Sequence, residues 1–178
     1  VDRNLGDLGN TMTKTSYSLL YINELLIRLL PKDAKQEDLF FLYDKFLQDI
    51  NNKENLELTL RYFELDLLDM LGYGFDYTYD NDNNQPIDPN SNYAFVTERG
   101  FKKSSNSKLS GIDIINLKNR ELEKVSLNNL KDITKKAIST CLDGRDLASR
   151  KIFKSIKQWS LELEQTLLIL AESKKWIL

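Results

Sequence analysis

Leu60-Arg61-Tyr62-Phe63-Glu64-Leu65-Asp66-Leu67-Leu68, running on to Leu71-Gly72-Tyr73-Gly74, decides the fold class of this chain. Leu56, Leu60, Phe63, Leu67 and Leu71 recur at helical spacing, which predicts a helix from about Glu54 to Leu71 with one apolar stripe. Gly72 and Gly74 end it, because glycine accepts the left-handed conformation that helix ends use. Toward the N-terminus the same period predicts a helix over Gln36 to Asn51, with Leu39, Phe40, Tyr43, Phe46, Leu47 and Ile50 inward. A further helix is predicted over Thr15 to Leu30, with Leu19, Ile22, Leu26, Leu29 and Leu30 inward. Pro31 stops it, since the residue before a proline is pushed out of the helical region.

Toward the C-terminus the pattern changes at Phe75. Phe75, Tyr77 and Tyr79 alternate with polar residues, which is strand spacing. Asp80 to Asn92 is rich in Asn and Asp and holds Pro86 and Pro89, so it reads as turns. Tyr93, Phe95 and Val96 are β-prone, Arg99-Gly100 reads as a turn, and Lys102 to Ser110 is polar and expected to be mobile. Helical period returns at Ile112 to Leu117 and at Leu127 to Leu142, where Leu130, Ile133, Ala137 and Ile138 face inward and Gly144 closes the helix. A last helical stretch starts near Asp146, with Leu147, Ile152, Phe153, Ile156 and Trp159, and runs on with a break. The fold class is therefore mainly α: a helical, bundle-like domain with a small irregular β insert. The expected divisions are 1–15 as a linker or remnant of a preceding domain, 16–74 and 111–156 as two parts of the helical domain, 75–110 as the insert, and 157–178 as a helical extension of open role.

Composition excludes much chemistry. There is no His, and Cys141 is the lone cysteine. A zinc site needs about four N or S ligands, a Ser/His or Cys/His nucleophile pair needs His, and no internal disulfide is possible. The residues 25 basic and 27 acidic give a net charge of -2, so any nucleic-acid contact must come from local cationic clusters. Asp76, Asp80, Asp82 and Asp88 do not fit an EF-hand loop, which requires a Gly at its sixth position and a Glu at its last. Carboxylates alone, for instance Glu24, Glu64 and Asp66 around a metal, would be another enzyme route, but Glu64 and Asp66 are two apart and so point to different helix faces. No apolar run approaches the ~20 residues that span a bilayer, and residues 1–15 are too polar for a signal peptide. A cytoplasmic, non-membrane, non-enzymatic protein is expected, with no cofactor.

Three segments together resemble the RecO family of bacterial recombination mediators. They are Leu20-Tyr21-Ile22-Asn23-Glu24-Leu25-Leu26 with Arg28 and Leu29-Leu30-Pro31, the stretch Arg61 to Gly74 quoted above, and Gly144-Arg145-Asp146-Leu147-Ala148-Ser149-Arg150-Lys151-Ile152-Phe153. Weaker similarity lies at Arg99-Gly100-Phe101, Leu109-Ser110-Gly111 and Leu117-Lys118-Asn119-Arg120-Glu121. The resemblance implies an OB-fold followed by a helical domain with a zinc-finger-like insert, and residues 1–15 are too few to make that barrel. Many family members hold zinc in the insert through cysteines. Tyr77 to Phe101 has neither Cys nor His, so a metal-free insert held by Tyr77, Tyr79, Tyr93 and Phe95 is expected.

The resemblance also implies function: DNA repair and recombination, strand annealing, and loading of RecA onto single strands together with RecR and, in some bacteria, RecF. Implied partners are single- and double-stranded DNA and the acidic, phenylalanine-ended tail of the single-stranded DNA-binding protein; nucleoid association follows. For the tail, the family places an Arg beside an apolar pocket, which carries onto Arg61 with Leu39, Phe40, Tyr43 and Leu60 as walls. Read without the family, Arg61 is an exposed helical residue paired with Glu57. For DNA, the densest basic run is Lys135, Lys136, Arg145, Arg150, Lys151, Lys154 and Lys157, of which Arg150, Lys154 and Lys157 share a helical face; otherwise these are a solvated surface. The alternative function is a helical protein-interaction module that binds no DNA. Cys141 is expected to be a small core residue.

Overall fold

The computed structural model describes residues 5–30, 37–52, 55–156, 158 and 165. The expected stop at Pro31, Lys157, Trp159 and nearly all of the extension 157–178 lie outside the described residues. The chain divides into two compact units, Val1–Leu30 with Asp146–Leu178, and Pro31–Arg145.

The first unit holds helix α1 (Leu5–Leu29) and a last helix, α6, over residues 148–156. α1 starts ten residues before the predicted Thr15, so residues 5–15 are helical. Extending an existing helix adds one hydrogen bond per residue fixed, which outweighs the weak helix propensity of Gly6 and Gly9. Among its residues 14–29, Ser18, Ile22 and Leu25 are buried. Ile22 is buried as expected, while Leu19, Leu26, Leu29 and Leu30 are half-buried and Ser18 and Leu25 take the inward positions beside it.

α6 begins on a carboxylate from α1. One Glu24 oxygen accepts the Ala148 N–H at 2.8 Å, and the other accepts the Ser149 N–H at 2.8 Å and its hydroxyl at 2.7 Å. Arg28 closes on the first oxygen at 2.9 Å. A helix start leaves its first N–H groups without internal partners and carries partial positive charge, so an anion there stabilises it twice over. Burial pushes the Glu24 carboxyl up, but the Ser149 and Ala148 bonds and Arg28 outweigh it and bring it down to about 2.

In the second unit, α3 (Leu56–Met70) lies at the centre. It packs against α2 (Glu37–Asn52), α5 (Leu127–Cys141) and a 3-10 turn at Leu122–Lys124. Asn55 caps its start by accepting the Leu58 N–H. Its end is the predicted one: Gly72 sits at φ +80°, and Tyr73 N–H returns to the Leu68 carbonyl at 2.8 Å. Thr59, Phe63, Glu64, Leu65, Leu67 and Leu68 are all buried, more than one stripe, because neighbours cover several sides. The Phe46 and Phe63 rings meet at 4.9 Å between α2 and α3.

The insert is a three-stranded antiparallel sheet of order β2-β1-β3, with β1 Asn92–Val96, β2 Gly100–Lys103 and β3 Leu109–Ser110. Tyr93 pairs with Lys103 and with Leu109. Two expectations change here. Phe75 to Tyr79 is extended but forms no strand; its one bridge, Tyr79 to Pro86, is made by Ile87 N–H to the Thr78 carbonyl and Asp80 N–H to the Gln85 carbonyl, while Thr78 N–H is taken by the Asp76 carboxylate. Lys102 to Ser110, expected to be mobile, contributes to two strands. The aromatic core is Phe75, Phe95, Phe101 and Tyr77, with Phe75 and Phe95 centroids 4.7 Å apart and Tyr77 and Phe101 5.7 Å apart; Tyr93 is buried beside them in the sheet and Tyr79 is exposed. The Asp-rich loop is a set of Asx turns. Asp76, Asp80 and Asp88 each accept the N–H two residues on, from Thr78, Asp82 and Asn90.

The Glu24 cap gives a direct test. Glu24→Gln should cost about 1–2 kcal/mol of stability at neutral pH, the range for losing a strong cap. The folded carboxyl titrates below its ordinary 4.5, so its contribution is complete above about 4.5 and is lost as pH falls toward about 2. Urea melts of both forms along that pH series should converge at the acid end; a gap that stays constant with pH would show that the charge is not what holds α6.

Candidate nucleic-acid and partner interface

Arg61 and Glu64 are one turn apart on α3 and are both taken out of water. The side chain of Arg61 is 11 % exposed and that of Glu64 1 %. Arg61 Nη1 lies 2.8 Å from a Glu64 oxygen and donates to the Thr134 hydroxyl of α5 at 2.8 Å. This corrects the expected pairing with Glu57, which instead meets Lys131 at 2.7 Å on the surface. The physical reason is burial. A carboxylate in the interior needs a cation far more than one that water already solvates. Of the other residues expected around the tail, Leu39 is buried, Tyr43 and Leu60 are half-buried, and Phe40, expected inward, is 68 % exposed.

Depressions between α2 and α3 lie on another side of these helices. One of about 140 Å³ is lined by Leu42, Lys45, Phe46, Asp49, Thr59, Tyr62, Phe63 and Asp66. A second, of about 390 Å³, is lined by Asp38, Phe41, Leu42, Lys45, Asp66, Asp69 and Met70. None of Arg61, Leu39, Phe40, Tyr43 and Leu60 lines either one. The run Leu39-Phe40-Phe41-Leu42 carried the missed signal, since four consecutive apolar residues cannot all face one side of a helix. Asp66 is held by Arg120, whose Nε lies 3.2 Å away and whose Nη2 also reaches Asp69. Burial pushes the Asp66 carboxyl up, against Arg120 and Lys45. The Arg120 carbonyl lies 2.8 Å from the Tyr62 hydroxyl, which also meets Glu123 at 2.8 Å.

The basic residues fall into both units. In the second, Lys135 is exposed, Lys136 pairs with Asp132 at 2.7 Å, and Arg145 closes the end of α5 by donating to the Leu142 carbonyl at 3.0 Å. In the first, Lys154 is exposed and Lys151 stands 3.8 Å from Asp146. Arg150 rests on Tyr21, 5.4 Å from the ring centroid and 3.2 Å from its hydroxyl. Arg150 is therefore half-buried and oriented, while Lys135 and Lys154 are the solvated cations. Cys141 is half-buried, and burial pushes its thiol up to about 11, which makes it a poor nucleophile. Among the described residues no group of His, Cys, Asp or Glu converges to hold a metal ion, and no helix is long and apolar enough to cross a membrane.

Comparison with known proteins gives a consistent result. The family model for "Recombination protein O C terminal" matches residues 12–151. Proteins named DNA repair protein RecO are similar over most of the chain. That of Pseudoalteromonas atlantica is 37 % identical over 142 residues, covering 78 % of this chain and 59 % of its own length. That of Vibrio vulnificus is 36 % identical over 141 residues, covering 77 % and 58 %. That of Shigella boydii is 37 % identical over 145 residues, covering 79 % and 60 %. The chain thus spans about three-fifths of the length of these relatives.

The buried pair predicts an outcome opposite to that for a surface Arg. Arg61→Ala strands Glu64 without its cation and should cost about 3–5 kcal/mol, whereas Arg61→Met with Glu64→Leu, which removes both charges, should recover most of it. Denaturant melts of the three proteins decide; a single-variant loss under about 1 kcal/mol would place Arg61 with ordinary surface pairs.

Proposed function

Because the chain belongs to the RecO C-terminal family, we propose that it serves DNA repair and recombination by binding, without covalent chemistry. The family match over residues 12–151 is the observation that carries this reading. In it the protein holds single- and double-stranded DNA through phosphates, engages the acidic tail of the single-stranded DNA-binding protein, and works with RecR, and in some bacteria RecF, in strand annealing and RecA loading. Its place is the cytoplasm, on the nucleoid.

Charge supports where DNA contact would fall. A chain with net charge -2 has no long-range attraction for phosphate, so binding depends on cations that are solvated and unpaired. Lys135 and Lys154 meet that condition best. Arg150 is oriented by Tyr21, and Lys136 and Lys151 would exchange carboxylates for phosphates. For the tail, Phe40 offers an exposed ring one turn from half-buried Tyr43 on α2, and on α3 Arg61 is the cation next to half-buried Leu60. Its guanidinium would have to share or release Glu64 to take a carboxylate, so Arg61 variants alone cannot separate tail binding from folding.

The test is titration of a fluorescein-labelled single-stranded oligonucleotide at several salt concentrations. Affinity should fall linearly on a log–log plot, and Lys135→Ala and Lys154→Ala should each lower the slope by about one. In parallel, Phe40→Ala should weaken the acidic tail peptide by about tenfold with no change in melting. Absence of any salt-dependent DNA binding, with tail binding kept, would favour a protein-interaction module that binds no DNA.

A further inference from the structure

We propose that Tyr21 is a positioning residue for phosphate: it holds Arg150 in place without cancelling its charge, so that the guanidinium is set to take a phosphodiester of a nucleic-acid backbone. This rests on the DNA-binding reading above and names the side chain of α1 that serves it.

The arginines differ in what holds them. Arg28 is on Glu24, Arg61 on Glu64, Arg120 on Asp66 and Asp69, and Arg145 on Asp143 and the Leu142 carbonyl. A carboxylate that places an arginine also offsets its charge. Arg99 is exposed in the turn between β1 and β2. Arg150 is placed by a neutral group. Its guanidinium carbon lies 5.4 Å from the centroid of the Tyr21 ring, and its Nη2 donates to the Tyr21 hydroxyl at 3.2 Å. Among the described residues no carboxylate pairs with it. A ring face attracts a cation through its quadrupole and leaves the net charge whole. One hydrogen bond occupies one of several guanidinium N–H donors, and the others can take two oxygens of a phosphate at once.

The rest of the contact between α1 and α6 fixes where Arg150 can be. α6 runs back along α1: Glu24 meets Ala148 and Ser149, Tyr21 meets Arg150, and the Tyr17 and Phe153 rings meet at 5.7 Å. The Tyr21–Arg150 contact thus has an anchor on either side. Glu24, one turn on from Tyr21, has both oxygens engaged by the start of α6 and by Arg28. Lys154, one turn after Arg150, is exposed on the same side of α6, so a backbone that reaches Arg150 meets a second cation. Ordering the guanidinium before the ligand arrives removes part of the entropy that a long side chain otherwise loses on binding.

The experiment titrates the full chain, over a salt series, with a fluorescein-labelled oligothymidylate, with a duplex, and with the acidic tail peptide. Arg150→Ala should lower the log–log salt slope by about one on both nucleic acids and leave the peptide unaffected. Arg150→Lys should restore the slope but only part of the affinity, since an ammonium neutralises a phosphate and lacks the fork. Tyr21→Leu should weaken both nucleic acids by about threefold to tenfold with the slope unchanged. Combining it with Arg150→Ala should weaken binding no further than Arg150→Ala alone, a non-additivity that a merely structural role would not give. Tyr21→Phe, which loses the hydroxyl bond and keeps the ring, should weaken binding less, and it supplies the same cycle should Tyr21→Leu melt below the titration temperature. The inference is overturned if Arg150→Ala leaves the slope unchanged while Lys135→Ala or Lys154→Ala lowers it, an outcome under which the DNA reading stands. It is equally overturned if the Tyr21 and Arg150 effects add, if neither Tyr21 variant changes affinity, or if Arg150→Ala weakens the peptide and not the nucleic acids. Absence of salt-dependent binding to either nucleic acid would remove the DNA reading and this inference with it.

Discussion

A carboxylate held at 1 % exposure cannot stay charged without a cation at hand, and in α3 that demand falls on Arg61. The guanidinium that answers it also reaches Thr134, so the same contact fixes α3 against α5. With α2 on another side and the 3-10 turn on a third, α3 has little freedom to rotate or slide. Arg120 repeats the device at the other end of the helix by bridging Asp66 and Asp69, while its carbonyl lies against Tyr62. Polar pairs of this kind add little net stability, yet they penalise every alternative packing that would leave one charge alone.

The same accounting governs which charges remain for other molecules. Many cations of the chain already have a carboxylate, a carbonyl or a ring. Arg28 is on Glu24, Lys131 on Glu57, Arg145 on the end of α5 and Arg150 on Tyr21. Among the described residues Lys135 and Lys154 stand exposed with no carboxylate given to them, which suits contacts that follow a phosphate backbone without reading bases.

The sequence carried the helices well and their facing less well. α3 was legible because its Leu and Phe period ends on Gly72, and the positive φ there bears out the reason given for the stop. α2 was legible as a helix, but Phe40 and Phe41 were not legible as outward, because apolar period cannot distinguish a core stripe from an apolar surface on the next face. Glu64 could not be found by pattern at all, since a polar letter in a stripe reads as a boundary of the stripe. Nor could the Glu24 cap, which joins residues more than a hundred positions apart. In the insert, Tyr93 and Phe95 were read correctly as strand. Phe75 to Tyr79 has the same alternation without a ladder, since a strand is defined by its partner as much as by its own residues.

The junction between insert and helices has a consequence for how such a protein can vary. β3 ends at Ser110, and Ser110 is also the cap of α4 (Gly111–Lys118), exchanging hydrogen bonds with Asp113 in both directions. At Gly111 a Cβ would stand 2.0 Å from the Asp88 carbonyl oxygen, so even one methyl group has no room there. Strand, cap and turn share the same few residues with no linker between them. Room for length changes is therefore greater away from that root, for example at the exposed turn of residues 81–84, than at the Asp88 turn packed on Gly111. The tip has room for added residues that the hinge-less root lacks, and a protease or a fusion partner would find the same asymmetry.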